Sequence, residues 1–162
     1  MKDYDYIIVG AGSAGSVLAN RLSEDPANKV LLIEAGGSDR RFFIQMPIGY
    51  GITYHQKTVN WMYMTEPSPD ADNKPSYWPR GKVMGGSSSI NAMVYVRGNP
   101  KDFDEWSEAG NPGWSYKEVL PYFKKMESWQ NGADNFRGGD GPLKVSEVSK
   151  QLHPLCDNFL SA

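Results

Sequence analysis

Residues 5–22, DYIIVGAGSAGSVLANRL, join an apolar run to three glycines with the spacing G-x-G-x-x-G. The β-branched and aromatic residues of Tyr4–Val9 predict a buried strand, and the apolar spacing over Ser16–Leu22 predicts a helix. A second apolar run, Val30–Ile33, predicts another buried strand that ends at Glu34. Strand, helix and strand follow one another within about 35 residues, which predicts a parallel βαβ unit.

The glycines and the helix start have separate physical roles in such a unit. Gly10 allows the tight turn from strand to helix, Gly12 lets a pyrophosphate approach the backbone, and Gly15 lets the helix pack against the strand. At Ser13 and Ala14 the helix begins with unpaired N–H groups and a partial positive charge, which attract phosphate. These features predict a dinucleotide site. The alternative is a tight turn that binds nothing.

Glu34 at the end of the second strand favours one class of dinucleotide over another. Its carboxylate can accept hydrogen bonds from the ribose hydroxyls of an adenosine, and it would repel a 2′-phosphate, which disfavours NADP. The fingerprint does not separate NAD from FAD, because both present an ADP half to the same unit.

A second glycine-rich stretch, GKVMGGSSSINAMVYVRG, occupies Gly81–Gly98. Gly85 and Gly86 permit a positive φ and a close approach of the backbone to a ligand. The serines that follow can satisfy phosphate oxygens, and Asn91 offers a donor and an acceptor together. A flexible hinge is the other interpretation, but a hinge does not need the apolar continuation after Asn91. We therefore expect a loop that lies against a ligand.

The rest of the chain has clear helix starts. Asn99 and Pro100 predict one helix, since proline suits the first helical position. Ser115-x-x-Glu118 is a capping-box pattern that opens another helix toward Met126, which Pro121 should kink or divide into two short pieces. The other predictions are an irregular, aromatic segment from residue 38 to about Pro79, a turn over Gly138–Gly141, a strand over Pro142–Val148 and a helix that starts near His153.

Composition excludes several classes of protein. The chain has 162 residues, about the length of one ordinary domain, and its net charge of −2 gives no support to nucleic-acid binding. Its one cysteine, Cys156, rules out an internal disulfide, and we expect it to be a small buried apolar residue. No signal peptide, transmembrane segment or metal site is predicted. We expect a soluble, cytoplasmic chain, with peripheral membrane contact left open.

Several segments together resemble the glucose–methanol–choline (GMC) oxidoreductases, and most of all their choline dehydrogenase and alcohol dehydrogenase branch. The likeness covers essentially the whole chain and is most specific at Gly81–Gly98. Its motifs are DYIIVGAGSAGSVLANRL and VLLIEAGG within residues 5–37, NWMYMTEP at 60–67, PRGKVMGGSSSINAMVYVRG at 79–98, GWSYKEVLPYFKKME at 113–127 and GGDGPLKVS at 138–146.

The resemblance implies an α/β chain with an incomplete Rossmann-type FAD-binding fold and the beginning of an α+β substrate-binding domain. Residues 1–100 would be the FAD-binding portion, comprising the βαβ unit and the flavin-contacting loop 81–98. Residues 101–162 would be the truncated start of the substrate or cap domain. We therefore expect the N-terminal part of a longer enzyme, whose C-terminal remainder is a necessary partner.

The resemblance also implies FAD as the cofactor, with the loop running beneath the flavin. Some family members attach FAD covalently through a histidine in this loop, but Ile90 stands at the matching position, so we expect non-covalent FAD. The residues implied at the cofactor, besides Gly10, Gly12, Ser13, Ala14, Gly15 and Glu34, are Gly85, Ser87, Asn91 and, through their backbone, Ala92, Met93 and Val94.

The implied activity of the whole enzyme is oxidation of an alcohol, choline or another primary alcohol, to the aldehyde by hydride transfer to flavin N5. The electron acceptor would be a quinone, a carrier or oxygen. The family's catalytic histidine lies beyond the part matched here. We expect a packing role for His55 and a helix-start role for His153, so no catalytic residue is predicted and the fragment alone should be inactive. The alternatives are an NAD-dependent dehydrogenase and a non-catalytic, truncated nucleotide-binding chain.

Overall fold

The structure, a computed structural model, describes residues 3–148, 153 and 155–161. It divides into two compact units, the first ending at Val94 and the second beginning at Tyr95. Within the described ranges, no helix combines the length and the apolar character that crossing a bilayer requires.

The first unit opens with the predicted βαβ motif. Strand β1 (Tyr6–Val9) pairs in parallel with β2 (Val30–Ile33), in the register Tyr6 to Val30 and Val9 to Ile33. Helix α1 (Ser13–Leu22) connects them. The βαβ prediction is therefore confirmed, although α1 begins earlier than Ser16 because the backbone is already helical from Ser13.

The prediction that β1 and β2 are buried is wrong for this chain. Val9 is 83% exposed and Ile7 is 61% exposed. A parallel strand becomes buried when neighbouring strands flank it and helices cover both faces. Among the described residues this sheet has two strands, and one helix connects them. In the described part of the chain, the two apolar runs thus form a two-stranded sheet that stays partly exposed.

Short elements and aromatic contacts build the remainder of the first unit. Helices α2 (Phe42–Gln45) and α3 (Tyr50–Thr53) come first, and then β3 (Tyr63–Met64) pairs antiparallel with β4 (Tyr77–Trp78). The Tyr54 and Tyr77 rings meet edge to face at 5.2 Å, as expected for a segment held by aromatic packing. A small buried cluster of Val59, Val83 and Ile90, with Ile44 against it, forms the core.

The second unit begins with the two predicted helices. Helix α4 (Pro100–Glu108) has Asn99 as its N-cap, with Oδ1 accepting a hydrogen bond from Lys101 N. Helix α5 (Tyr116–Met126) starts from the Ser115–Glu118 capping box. It continues through Pro121 as one helix, so the division into two pieces is wrong. The amphipathic helix and its cap outweigh the one backbone hydrogen bond that proline removes.

Two short strands and one helix complete the described part of the second unit. Strands β5 (Glu127–Trp129) and β6 (Leu143–Val145) pair in parallel, and β6 is shorter than the predicted strand over Pro142–Val148. Helix α6 (Leu155–Leu160) follows, and His153 Nδ1 accepts a hydrogen bond from Leu155 N, which agrees with a helix-start role. Cys156 is half-buried instead of buried.

Candidate functional site

The turn after β1 depends on Gly10. Its φ is +97°, a left-handed conformation that side chains rarely adopt, and its N–H donates to Ile33 O at 2.7 Å. The next residue, Ala11, is fully buried and donates its N–H to Glu34 Oε2 at 2.8 Å. The turn is thus tied to the end of β2 on both sides of Gly10.

Helix α1 lies so close to this turn that Gly15 cannot carry a side chain. A Cβ atom at Gly15 would lie 1.9 Å from Gly10 O and 3.3 Å from Ile8 Cγ2. At its N-terminus, α1 has no side-chain cap and no acidic residue in the first turn. The first N–H groups of a helix have no intrahelical partner, so Ser13 and Ala14 lie at an uncapped, partially positive helix start.

The second glycine-rich stretch folds directly against the first. The Gly85 N–H donates to Ala11 O at 2.8 Å, and a Cβ at Gly86 would lie 2.8 Å from the Cα of Gly12. Both Gly85, with a φ of +87°, and Gly86, with a φ of +60°, are left-handed. Two motifs that are far apart in sequence therefore form one surface in which side chains are absent on both sides.

The three serines hold the loop in shape through their own hydroxyls. Ser87 Oγ accepts from Gly81 N at 3.1 Å. Ser88 Oγ donates to Gly85 O at 2.6 Å, and Ser89 Oγ donates to Met84 O at 2.7 Å. Because Ser87 acts here as an acceptor, its hydroxyl proton remains available for a ligand oxygen.

Asn91 shapes the next part of the loop. Its Oδ1 accepts a hydrogen bond from Met93 N at 2.9 Å, and Met93 has a left-handed φ of +59°. The amide nitrogen of Asn91 is a further donor. Ala92, Met93 and Val94 are all exposed. The structure therefore gives Asn91 a role in the loop itself, and the segment that follows it presents an open surface.

A groove of about 480 Å³ runs between the two glycine motifs. We call it the glycine groove and define it by Gly10, Gly12, Glu34, Gly86 and Ser87, which all line it. A second cavity, of about 270 Å³, shares Ser87 with the groove and adds Ile90, Asn91 and Ala92. Six of the sequence-predicted residues thus line the groove or the second cavity: Gly10, Gly12, Glu34, Ser87, Asn91 and Ala92. The other six line neither: Ser13, Ala14, Gly15, Gly85, Met93 and Val94.

Sequence reasoning did not assign several residues that line the glycine groove, among them Trp61, Tyr63, Arg80 and Gly81. The Trp61 and Tyr63 rings stack at 5.9 Å, and Lys82 Nζ lies 4.5 Å from the centre of the Trp61 ring. Arg80 also lines the groove, while its guanidinium lies 4.7 Å from the centre of the Trp78 ring and donates through Nη1 to Pro79 O at 2.8 Å. The signal in the sequence was the position of these residues within NWMYMTEP and PRG: Trp61 precedes β3, Tyr63 begins it, and Arg80 and Gly81 follow β4.

Glu34 lines the glycine groove directly after the last residue of β2. Its Oε2 accepts from Ala11 N and its Oε1 accepts from Gly36 N, both at 2.8 Å. Each carboxylate oxygen has a second lone pair, so ribose hydroxyls can still donate to this group. Glu34 is half-buried.

Neither histidine lines the glycine groove. The His55 ring stacks on the Tyr77 ring at 5.7 Å and meets the Tyr54 ring at 4.8 Å, in agreement with a packing role. His153 belongs to the start of α6. In the part of the chain that the structure describes, no three His, Cys, Asp or Glu side chains are grouped as metal ligands.

Comparison with known proteins gives a consistent picture. A family model described as GMC oxidoreductase matches residues 4–162. The chain is similar to an oxygen-dependent choline dehydrogenase of Vibrio vulnificus (strain YJ016), with 54% identity over 162 residues, 99% of this chain and 29% of that protein. It is also similar to the mitochondrial choline dehydrogenase of Mus musculus, with 50% identity over 99% of this chain and 28% of that protein.

Solved structures agree with this match. Pyridoxine 4-oxidase from Mesorbium loti superposes with a TM-score of 0.88 and 39% identity, over 98% of this chain and 31% of that chain. An FAD-dependent oxidoreductase from Chaetomium thermophilum superposes with a TM-score of 0.78 and 35% identity, over 98% of this chain and 29% of that chain. The chain spans less than a third of the length of each of these relatives.

Proposed function

The chain belongs to the GMC oxidoreductase family, and we propose that it forms the FAD-binding part of an enzyme that oxidises an alcohol. The substrate class is choline or another primary alcohol, and the product is the aldehyde. The relatives named choline dehydrogenase support this substrate class. The electron acceptor is a quinone, a carrier or oxygen, and the reaction needs the C-terminal remainder of the enzyme.

The observation that carries this proposal is the contact between the two glycine motifs. Gly86 lies so close to Gly12 that a Cβ atom on Gly86 would lie 2.8 Å from the Cα of Gly12, and Gly10 is left-handed. A negatively charged diphosphate can approach bare backbone here, beside the uncapped start of α1. Glu34 suits an adenosine ribose, and both Glu34 and Arg80 line the groove. The residues present therefore fit an FAD molecule.

Each proposed cofactor residue has a role that follows from its group. The backbone of the fingerprint and of Gly85 supports the diphosphate, Glu34 accepts from the ribose, and Ser87 donates its free hydroxyl proton. Asn91 donates through its amide nitrogen while its oxygen holds Met93. The complete set is Gly10, Gly12, Ser13, Ala14, Gly15, Glu34, Gly85, Ser87, Asn91, Ala92, Met93 and Val94.

When bound, FAD supplies the hydride acceptor, its N5 atom. The contribution of this chain is to hold and orient the cofactor and to leave the exposed segment Ala92–Val94 facing it. No histidine lines the groove or the cavity beside Asn91. The proton of the alcohol is therefore removed by a group outside this chain, and the chain alone is inactive.

FAD is held without a covalent bond. Ile90, which stands where some family members have the attaching histidine, has an aliphatic side chain, is 5% exposed and packs with Val59 and Val83. Acid precipitation of the flavin-loaded protein should leave the flavin in the supernatant. Flavin that stays with the precipitated protein would contradict non-covalent binding and would point to another attachment residue.

Residues 1–100 are the FAD-binding portion and residues 101–162 begin the substrate domain. The division into compact units near Val94 supports a boundary in this region. The second unit follows the proposed cofactor residues in sequence, and none of its described residues lines the glycine groove.

One experiment separates this function from its alternatives. The full-length protein that carries this chain is purified and its visible spectrum is recorded before and after anaerobic addition of choline and of linear primary alcohols. Flavin absorbance that bleaches with an alcohol supports the proposal. A colourless protein that reduces NAD would indicate a nicotinamide-dependent dehydrogenase, and a yellow protein that no alcohol bleaches would indicate nucleotide binding without turnover.

A further inference from the structure

The second unit contains a buried ionic cluster that the proposed function does not use. Glu127 is fully buried, and its Oε1 accepts from Arg137 Nη1 at 2.8 Å while its Oε2 accepts from Arg97. Gly138 N donates to the same Oε2 at 3.3 Å. One carboxylate thus faces two guanidinium groups, so this cluster carries one uncompensated positive charge.

A cavity of about 320 Å³ opens directly on these arginines. We call it the arginine cavity; all of its residues belong to the second unit and none lines the glycine groove. Two of its residues are apolar and form part of the wall, and the other four carry hydroxyl or guanidinium groups. Its lining residues are Tyr95, Val96, Arg97, Tyr116, Phe136 and Arg137.

The hydrogen bonds of Arg97 determine which way the tyrosine hydroxyls can act. Arg97 donates through Nε to Tyr95 Oη at 3.5 Å, through Nη1 to Phe136 O and through Nη2 to Glu127. It also interacts with the Tyr116 hydroxyl. A guanidinium has donors and no acceptor, so both tyrosine oxygens must accept from it. Each hydroxyl proton is then left to donate elsewhere.

Arg97 remains fully charged in this setting. Burial acts to lower its pKa, but its hydrogen bond with Tyr95 and the nearby charge of Glu127 hold that pKa above its ordinary value. A positive charge with a side-chain exposure of 10% is costly to desolvate unless negative charge lies close by. Glu127 is shared with Arg137 and supplies one negative charge to the two cations.

Arg137 has donors to spare. Its Nη1 bonds to Glu127 and its guanidinium lies 4.9 Å from the centre of the Trp129 ring, which leaves other N–H groups of its five-donor fork for a ligand. Asp134 interacts electrostatically with Arg137 and Lys124, and its carboxylate accepts from Phe136 N and Arg137 N at 2.6 Å each. Lys124 adds a further positive charge beside it, with Nζ donating to Asp134 O at 2.7 Å.

We infer that the arginine cavity is a binding site for a small oxyanion, either a carboxylate or a phosphate. Its polar side chains are two guanidinium groups and two hydroxyls whose protons are free to donate, so they match an acceptor with several oxygens. An oxyanion also supplies the negative charge that the cluster lacks. The site is additional to the FAD groove and does not depend on the proposed oxidation.

Calorimetric titration of the full-length, FAD-saturated protein tests this inference. FAD saturation is needed because phosphate could otherwise bind at the start of α1. Inorganic phosphate and acetate are titrated separately, and we expect one of them to bind at one further site per chain. The anion that binds more tightly shows whether the site prefers a phosphate or a carboxylate.

Two variants connect that binding to the cavity. Arg137→Gln removes a charged donor, and we expect it to weaken the Kd of the stronger anion by about tenfold or more. Tyr116→Phe removes one hydroxyl and keeps the ring, and we expect it to weaken the Kd by about threefold to tenfold. The matched control is Arg21→Gln, which removes an arginine from an exposed pair with Glu24 in the first unit and should leave the Kd unchanged.

Each outcome decides the matter. Weaker anion binding by Tyr116→Phe, with the Tm unchanged, supports the site even if Arg137→Gln folds poorly. The inference is overturned if neither anion binds saturably to the FAD-saturated wild type, if both variants bind as tightly as the wild type, or if Arg21→Gln weakens binding as much as they do.

Discussion

Asn60 Oδ1 accepts a hydrogen bond from Arg80 N at 2.9 Å, deep within the first unit. The same oxygen accepts from Met62 N at 2.9 Å, and Nδ2 donates to Tyr54 O at 2.7 Å and to Tyr77 Oη at 3.2 Å. One buried amide therefore joins the segment before β3 to the segment after β4. Trp61 and Arg80 both line the glycine groove. Because Asn60 bonds to the backbone of Arg80 and of Met62, it fixes the backbone at both of these lining residues.

Asn60→Ala should lower the free energy of unfolding by about 2–4 kcal/mol, because it leaves the N–H groups of Met62 and Arg80 without their acceptor and removes most of a buried side chain. Urea unfolding of the protein measures the change. Asn20→Ala, on the exposed face of α1, is the matched control and should be neutral or stabilising by about 0.5 kcal/mol. Equal effects of the two variants would mean that the Asn60 bonds contribute little.

Gly15→Ala should destabilise the protein by about 1–3 kcal/mol or more. The added Cβ would lie 1.9 Å from Gly10 O, so α1 must move away from the turn. Gly51→Ala is the control, because Gly51 also lies in a helix, α3, and a Cβ atom there would meet nothing within 4 Å. Thermal unfolding compares the two. An unchanged Tm for Gly15→Ala would show that α1 does not need its close packing.

The capping box of α5 should make stability depend on pH in acid. Ser115 Oγ and N donate to Glu118 Oε2 at 2.5 and 3.2 Å, and these bonds hold the pKa of Glu118 below its ordinary value. A carboxyl with a lowered folded pKa stabilises the fold above its unfolded pKa of about 4.3, and the contribution is lost as pH falls through the folded pKa.

Glu118→Gln keeps a side-chain acceptor at the third helical position but cannot titrate. The Tm advantage of the wild type over this variant should be present at neutral pH and should shrink as pH falls below about 4. Thermal unfolding between pH 7 and pH 3 measures that difference. A constant difference over the whole range would show that Glu118 is not the group that titrates.

Local chemistry made part of the fold predictable from sequence. A left-handed Gly10, two apolar runs and Glu34 at the end of the second run specify the βαβ unit, because each acts on its immediate neighbours. A capping box is also a local pattern, which is why the start of α5 was predicted correctly. The burial of β1 and β2 was wrong because burial depends on other strands and helices that pack against them.

Contacts between distant segments were the part that sequence reasoning missed. Spacing alone does not show that Gly86 meets Gly12, and the family resemblance suggested that both lie near one cofactor without placing them in contact. The groove positions of Trp61 and Arg80 were missed for the same reason. They depend on the hydrogen bonds of Asn60, which join the chain before β3 to the chain after β4. The division of α5 at Pro121 was also wrong, because the helix around it is held by its cap and its amphipathic face, whereas a kink there stays a prediction.

The proposed FAD site depends above all on the glycine groove, and the Gly12→Ala variant tests that site most directly. The apo fold has room for this methyl group, since the nearest atom, Gly86 Cα, would lie 4.0 Å away. The same methyl would project into the space proposed for the diphosphate.

The measurement is a titration of FAD into the full-length apoprotein, followed by flavin fluorescence, for the wild type, Gly12→Ala and Gly51→Ala. We predict that Gly12→Ala keeps the Tm of the wild-type apoprotein and weakens the Kd for FAD by about tenfold or more, whereas Gly51→Ala binds FAD like the wild type. A Gly12→Ala variant that binds FAD as tightly as the wild type would contradict the assignment of the groove.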